Sequence, residues 1–359
     1  MRIGSSAEVR LAGVADLDQI ADFLLPLGGP SFVERFPDGT PQDFYRWKYF
    51  GNPLGDAIVA IATAGDSVVS VVAGSPKRIW LSGTVVTAYE LGDFLTDDRY
   101  RGQGLFSRLI ELACHEAEVR GARLVYVRPN DVAFPILTSK LAFFEARRMD
   151  SRRYVVPSYV LSSKTRIAPS FFRAIGVDAL LRTCCIPRFR DDTMNVVAME
   201  RFGEDTDQLW SKAAEGYAFA VVRDSRYLNW RFADCPTPYK MWRAVRSGNT
   251  AGFIVISKNR ENTEGRIIDL FTEKNDTEAA RALLATGMEN LLGSGIRVVS
   301  TWALQGDAES AAHALLRRAF PFRRKRHLHL AFRIFAGKEV SLPLTSQNWH
   351  FTVGDSDGA

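Results

Sequence analysis

One arrangement, strand then turn then helix then strand, occurs twice in the 359 residues and points to an α/β fold more sharply than any compositional figure. In its first occurrence "TVVTAYELGDFLT" (84–96) is rich in β-branched and aromatic residues and reads as a strand. "GLFSRLIELACHEAEVRG" (104–121) then puts Leu105, Leu109, Leu112 and Ala113 on one helical stripe, and Gly121 closes the helix. "ARLVYVRPN" (122–130) is an apolar strand stopped by Pro129. The spacing predicts a β-loop-α-β unit with parallel strands and a right-handed crossover. "GRIIDLFTEKNDTEAARALLATGMENLLGSGIRVVSTWAL" (265–304) repeats the order. Aligning "GDFLT" with "IDLFT" sets Asp93 against Asp269 and Thr96 against Thr272, an offset of about 175 residues. Upstream, "FYRWKYFGNP" (44–53) matches "YLNWRFADCP" (227–236), with Trp47 against Trp230. Two matches in the same order predict an internal duplication.

The copies differ at the turn. The first has "DDRYRGQG" before its helix, whereas the second has "EKNDTE" and no glycine, so a ligand site made by the glycines belongs to the first copy alone. Between the copies, "SSKTRIAPSFFRAIGVDALLRTCCIPRFRDD" (162–192) is bounded by prolines and reads as a helical connector docked on a domain, in preference to a membrane-surface helix, because its basic residues are few. The excess of 46 basic over 41 acidic residues is too mixed to imply nucleic acid, though it suits a local anionic ligand. Cys114, Cys184, Cys185 and Cys235 lack metal-ligand or disulfide spacing, which implies a reduced setting. The first twenty residues carry acids where a signal peptide needs an apolar core, and no apolar run reaches the roughly 18 residues of a membrane span. A cytoplasmic protein without a membrane span is the expectation.

A helix N-terminus offers unpaired N–H groups and a positive dipole end, and glycine lets backbone approach a bulky anion such as a pyrophosphate. A P-loop would need lysine after Gly104, and a dinucleotide fingerprint would need glycine at Ser107; both fail. A tight turn with no ligand is the competing reading. "RYRGQG" (99–104) instead fits R/Q-x-x-G-x-G/A, and in its strand-loop-helix-strand setting, followed by "LVYVRPN", it resembles motif A of the GCN5-related N-acetyltransferase (GNAT) superfamily. The resemblance is close over Tyr89 to Phe144. It implies an α/β fold of two tandem GNAT-like domains, each a mixed, mostly antiparallel sheet flanked by helices. The expected division is 1–155 with the acyl-CoA loop, a connector at 156–195, a GNAT-like domain lacking the loop at 196–335, and a tail at 336–359. The tryptophan-proline segments and tail also look similar to tandem members found with bacterial surface-polysaccharide or amino-sugar pathways.

The resemblance assigns Arg99, Gly102 and Gly104 to a pyrophosphate loop, with backbone N–H groups of Arg101, Gly102, Gln103, Gly104 and Leu105 around the phosphates. It sets Phe94, Leu95 and Thr96 along the pantetheine arm and Asn130 beside its channel. Arg101 as a solvated charge is the competing reading. Acetyl-CoA is the implied co-substrate, with no metal, and the implied acceptor is a small-molecule amine such as an amino sugar or sugar nucleotide. Acyl transfer to an amine needs a proton acceptor, oxyanion donors and a proton for the departing thiolate. Glu90 and Asp93 are the candidate acids on the strand, expected on opposite faces because their separation is odd. Glu90 is preferred as base, since Asp93 recurs as Asp269 in the copy without the loop; a structural role for both is the alternative, with the amine losing its proton to ordered water. The tyrosine that serves the family as general acid, in N-x-x-A-x-x-x-Y, is absent: "NDVAFPILTSKLAFFE" has Leu137 and Thr138 there, and Pro135 is expected to kink the helix.

Other polar features have structural readings beside functional ones. His327 and His329 share a strand face suited to metal but lack a third ligand, so an exposed basic strand is preferred. The run Arg323 to Arg326 reads as a solvated face, and Trp47, Trp230, Tyr45 and Tyr227 as packing in preference to sugar stacking. Asp355 and Asp357 are terminal acids that would bind a cationic amine only if the tail folds over the cleft. The function expected is a CoA-dependent N-acyltransferase. A non-catalytic acyl-CoA-binding module is the alternative.

Overall fold

The computed structural model describes residues 7–28, 40–165, 167–187, 194–305, 310–337, 342–344 and 348–356. The first half runs β1 (Glu8–Leu11), α1 (Leu17–Gly28), α2 (Pro41–Phe50), β2 (Ile58–Ala64), β3 (Ser67–Leu81), β4 (Thr84–Thr96), α3 (Leu105–Val119), β5 (Leu124–Val127), α4 (Ala133–Lys140) and β6 (Phe144–Val155). Local chemistry sets several of these bounds. Thr40 and Asp43 form a reciprocal capping box, and Pro41 occupies the first helical position of α2, where its missing N–H costs nothing. Ser82 and Gly83, both at positive φ, make the tight turn from β3 into β4.

Three connector helices follow, α5 (Pro157–Thr165), α6 (Pro169–Ala174) and α7 (Val177–Cys185). The second half then runs β7 (Met194–Met199), α8 (Glu204–Ala213), β8 (Phe219–Val221), α9 (Ser225–Leu228) with a π-turn over Asn229–Ala233, β9 (Lys240–Arg246), β10 (Asn249–Lys258), β11 (Glu264–Thr272), α10 (Thr277–Gly293), β12 (Val298–Leu304), α11 (Ala311–Ala319) and β13 (Phe322–Ile334). A short β14 (Trp349–His350) lies in the tail and pairs with β8.

The main path of the sheet is β1-β2-β3-β4-β5-β13-β6-β12-β11-β10-β9-β7. Read from either end, this order meets corresponding strands of the two halves. β4 and β5 are parallel around α3, and β11 and β12 are parallel around α10. The last strand of each half is lent to the other: β13 pairs with β5, β6 pairs with β12, and β6 and β13 pair antiparallel at the centre. The two tryptophan segments meet beside this centre. The Trp47 and Trp230 rings stack with centroids 5.0 Å apart, and each indole N–H donates to the other residue's carbonyl, at 2.9 and 3.2 Å. A reciprocal contact of this kind is what a local two-fold relation between the halves produces.

Leu105, Leu109, Ile110 and Ala113 of α3 pack on one face of the first half, while α1 and α2 cover the other through Leu17, Ile20, Tyr45 and Tyr49. α10 plays the part of α3 in the second half. Phe219, Trp349, Phe351, Tyr126, Phe332 and Met149 fill the space where the halves join. The tail is built into this join. Asp355 is buried against Arg223, which also holds Asp269, with shortest N–O distances of 2.7 and 3.0 Å. Tyr126 donates to the Asp355 carbonyl, and Arg231 donates to the carbonyls of Gly354 and Ser356. The expectation of Asp355 as an exposed terminal acid is therefore corrected: its charge is spent on Arg223. Asp357 lies outside the described residues.

Burial would raise the Asp269 carboxyl, but Arg223 and His350 overrule it and hold it far below the usual range. Burial, with Arg223 nearby, pushes both His313 and His350 down to about 4. These two histidines are neutral in the fold and take up protons first in the unfolded chain, whose histidines titrate near 6.5. Their contribution to stability is therefore complete above about pH 6.5 and lost as pH falls toward 4. Thermal melts between pH 7 and 4.5 should show a falling Tm, with a shallower fall in a His313→Asn, His350→Asn double variant. Trp47→Ala removes the stack and one cross-half hydrogen bond and should cost about 2–3 kcal/mol in urea unfolding.

Candidate functional site

β4 and β5 are hydrogen-bonded over Ala88–Leu91 and Leu124–Val127, and there the ladder ends. β4 continues along β3, with Leu95 opposite Val71 and Thr96 opposite Ser70, while the chain after Val127 leaves toward α4. Beyond Leu91 a wedge opens on the β5 side of β4, which keeps its ladder with β3 on the other. A β-bulge shapes it: β4 takes three steps from Gly92 to Leu95 where β3 takes two, and Asp93 has φ 53°. Phe94 packs edge-on against Phe106 at 5.3 Å, and the Thr96 hydroxyl meets that of Ser70 at 2.7 Å.

The glycine turn lies where β4 hands over to α3. Asp97 accepts from the Arg99 backbone N–H at 2.9 Å and from its guanidinium at 2.7 Å, and these bonds hold the carboxyl at about 2. Arg101 pairs with Asp98 at 2.7 Å on the surface. Gly102 and Gly104 have φ of 79° and 76°, which L side chains rarely adopt, and the space their Cβ atoms would enter is open. Both glycines are therefore required by backbone conformation, and the turn is open to a ligand. Gln103 lies between them and Leu105 starts α3, so the N–H groups of its first turn lie at the head of a 15-residue helix. Asn130 is exposed, and its side-chain oxygen accepts from the N–H groups of Val132 and Ala133, at 3.1 and 2.8 Å, fixing the start of α4.

The bulge overturns the expected placement of the two acids. It cancels the odd spacing, and Glu90 and Asp93 both lie on the sheet face that carries α2, opposite to α3. Asp93 accepts from Lys48, at 2.7 and 2.9 Å, and from the Tyr49 hydroxyl at 2.7 Å. Burial, together with Asp93, drives the Tyr49 phenol well above its ordinary range. Glu90 lies 3.5 Å from the fully buried Lys77, which donates to the Tyr227 hydroxyl at 2.8 Å and so ties the strand to the second half. Lys48 and Lys77 were missed in the sequence. A lysine beside Trp47, and another inside the apolar run of β3, are the signals that mark them.

α4 offers little chemistry where the family has tyrosine. Leu137 is buried, and the Thr138 and Ser139 hydroxyls donate to the carbonyls four residues earlier, at 3.0 and 2.6 Å. Pro135 sits in the first turn, where a helix tolerates proline, so the expected kink has no cause there. In the second half the head of α10 is taken by the protein's own charge: Asp276 accepts from the Ala279 N–H at 3.0 Å and pairs with Arg246 at 2.8 Å. His327 and Arg323 lie 3.4 and 3.7 Å from the buried Asp150, and the Arg326 side chain lies outside the described residues. Among the described residues no group of three His, Cys, Asp or Glu side chains is placed to hold a metal, and no helix is long and apolar enough to cross a membrane.

Residues 28–138 match the family model of the acetyltransferase (GNAT) domain, which spans the wedge and the glycine turn. No curated protein sequence matches the chain. Among solved structures, a GCN5-related N-acetyltransferase from Anabaena variabilis is similar at a TM-score of 0.60 and 14% identity, over 92% of this chain and 73% of that one. A conserved protein of unknown function from Enterococcus faecalis gives 0.61 and 13%, over 92% and 73%. Saccharomyces cerevisiae N-myristoyltransferase with bound myristoyl-CoA gives 0.57 and 10%, over 93% and 84%. At such identities the likeness is one of fold. Residues 28–138 thus match a GNAT acetyltransferase domain, and the chain as a whole shares an α/β fold with the N-acetyltransferase and N-myristoyltransferase structures.

Lys48 and Asp93 hold the bulge from α2, so the two should be strongly coupled. Denaturant unfolding of Lys48→Met, Asp93→Asn and the double variant should give an interaction energy of roughly 1–3 kcal/mol, since each single change leaves the other residue's charge without its counter-charge.

Proposed function

We propose that the protein is a CoA-dependent N-acyltransferase of two GNAT-like units, in which 1–155 holds the acyl donor and 196–335 helps to form the acceptor site. The observation that carries this reading is the pair of left-handed glycines at the head of α3, beside the open edge of β4. The helix head suits a pyrophosphate, with Arg99 and Arg101 close by, and the β4 edge over Phe94, Leu95 and Thr96 suits the amides of a pantetheine arm. The thioester would then lie in the wedge, its carbonyl polarised by a β4 N–H while an amine attacks. Asn130 lies near the far wall, and Glu90, preferred as the route for the amine's proton, works beside Lys77. Asp93 is assigned to holding the bulge.

Acetyl-CoA is the donor proposed, and the primary amine of a small molecule, such as an amino sugar or sugar nucleotide, the acceptor. The structural neighbour that holds myristoyl-CoA brings longer acyl chains into the test. A second reading, an acyl-CoA-binding module without turnover, is favoured by the spent hydroxyls of α4. Calorimetric titration of acetyl-CoA and longer acyl-CoAs into the wild type should show binding. A folded Gly102→Glu, Gly104→Glu variant should bind at least about a hundredfold more weakly, since strain and negative charge are placed at the anion site. Release of free CoA with amines present supports the transferase; binding without release across a broad amine panel supports the module.

A further inference from the structure

In the sheet, Leu91, Val127 and Ala331 form one row across β4, β5 and β13. Beyond this row β5 ends, while β13 continues through Leu330 and His329 in partnership with β6. His329 therefore stands on the far side of the wedge, level with the β4 bulge and about 10 Å from it, two strand spacings away. It shares a face with Ala331, which packs in the core beneath α3 and α4. Its ring stacks on Phe134 of α4 at 3.8 Å, one turn before the position where the family tyrosine is missing. Its Nδ1 is 2.5 Å from a Glu145 carboxylate oxygen, and Arg148 holds that carboxylate from the other side at 2.9 Å. Among the other charged groups of these two strands, His327 lies 3.4 Å from Asp150, Arg147 sits over the Trp349 ring, and Arg333 pairs with Glu111 of α3. The imidazole is partly exposed, as a group that meets a substrate must be.

We propose that His329, oriented by Glu145, is the proton donor to the departing CoA thiolate. The inference rests on the acyl-CoA reading above. The amine nitrogen forms a C–N bond to the thioester carbonyl, the C–S bond breaks, and its electron pair stays on sulfur. The His329 imidazolium gives its Nε2 proton to that sulfur, and the proton lost by the amine returns through water to restore the imidazolium. The sum is amine plus acyl-CoA giving amide plus CoA. Glu145 is a positioning residue: by accepting from Nδ1–H it fixes Nε2 as the nitrogen that exchanges the proton. The second half of the chain thus supplies, through its lent strand, a group that α4 lacks.

The test needs no acceptor. Wild-type protein with labelled histidine is followed by NMR in complex with CoA and with desulfo-CoA, which lacks the sulfur, and His329 is recognised by its contact with Phe134. With the sulfur beside Nε2, the His329 ring nitrogen and carbon shifts should differ between the CoA and the desulfo-CoA complex. Glu145→Gln should release the fixed tautomer and narrow the difference between the two ring nitrogen shifts in both complexes. In a His329→Gln variant, CoA should lose any preference over desulfo-CoA above pH 8, while desulfo-CoA binds as to the wild type. Identical His329 ring shifts in the two wild-type complexes would overturn the inference and leave the acyl-CoA reading intact. If neither ligand binds the wild type, both fall together.

Discussion

The antiparallel pairing of β6 with β13 is the constraint on which the rest of the molecule depends. Each strand ends one half of the chain in sequence and completes the other half in space. Without β13 the edge of β5 would be bare, and without β6 so would that of β12. The exchange also draws the tryptophan segments together and makes a seam into which Phe219, Trp349 and Phe351 pack. The tail is held in that seam by a buried arginine shared between two aspartates, an arrangement tolerable because the guanidinium finds carboxylates and a carbonyl to bond.

The wedge follows from the same geometry. Parallel β4 and β5 share four paired positions, after which β5 turns away and the bulge at Asp93 directs the rest of β4 along β3. Holding a non-glycine residue at φ 53° costs energy that the Lys48 and Tyr49 contacts to its carboxylate offset. The corresponding β11 has its own register shift beside Asp269, which is held by Arg223 in place of a lysine. What separates the two strands' surroundings is the turn beyond: glycine-bearing after β4, and after β11 without glycine, its helix head capped by Asp276, which pairs with Arg246.

Much of this was legible in the sequence where the signal is local. The strand, glycine turn, helix and strand around 84–130 are written in β-branched runs, a helical stripe and two glycines whose φ values the structure shows to be left-handed. The side on which the acids face was not, because alternation along a strand assumes no bulge, and a bulge depends on contacts from α2 that lie more than forty residues away. The burial of Asp355 was hidden for the same reason: its partner, Arg223, is remote in sequence, and nothing near residue 355 announces it. His329 was visible as one of two histidines on a strand face, but its neighbours Phe134 and Glu145 come from the other half of the chain.

The lent strands also set an order of events during synthesis. Val127 pairs with Ala331, some two hundred residues later in the chain, so β5 is made long before the strand that covers it. Until then the growing chain carries an unpartnered edge, next to the glycine turn that leads into α3. The open edge of the first half is thus covered only late in synthesis, when β13 and then the tail take their places.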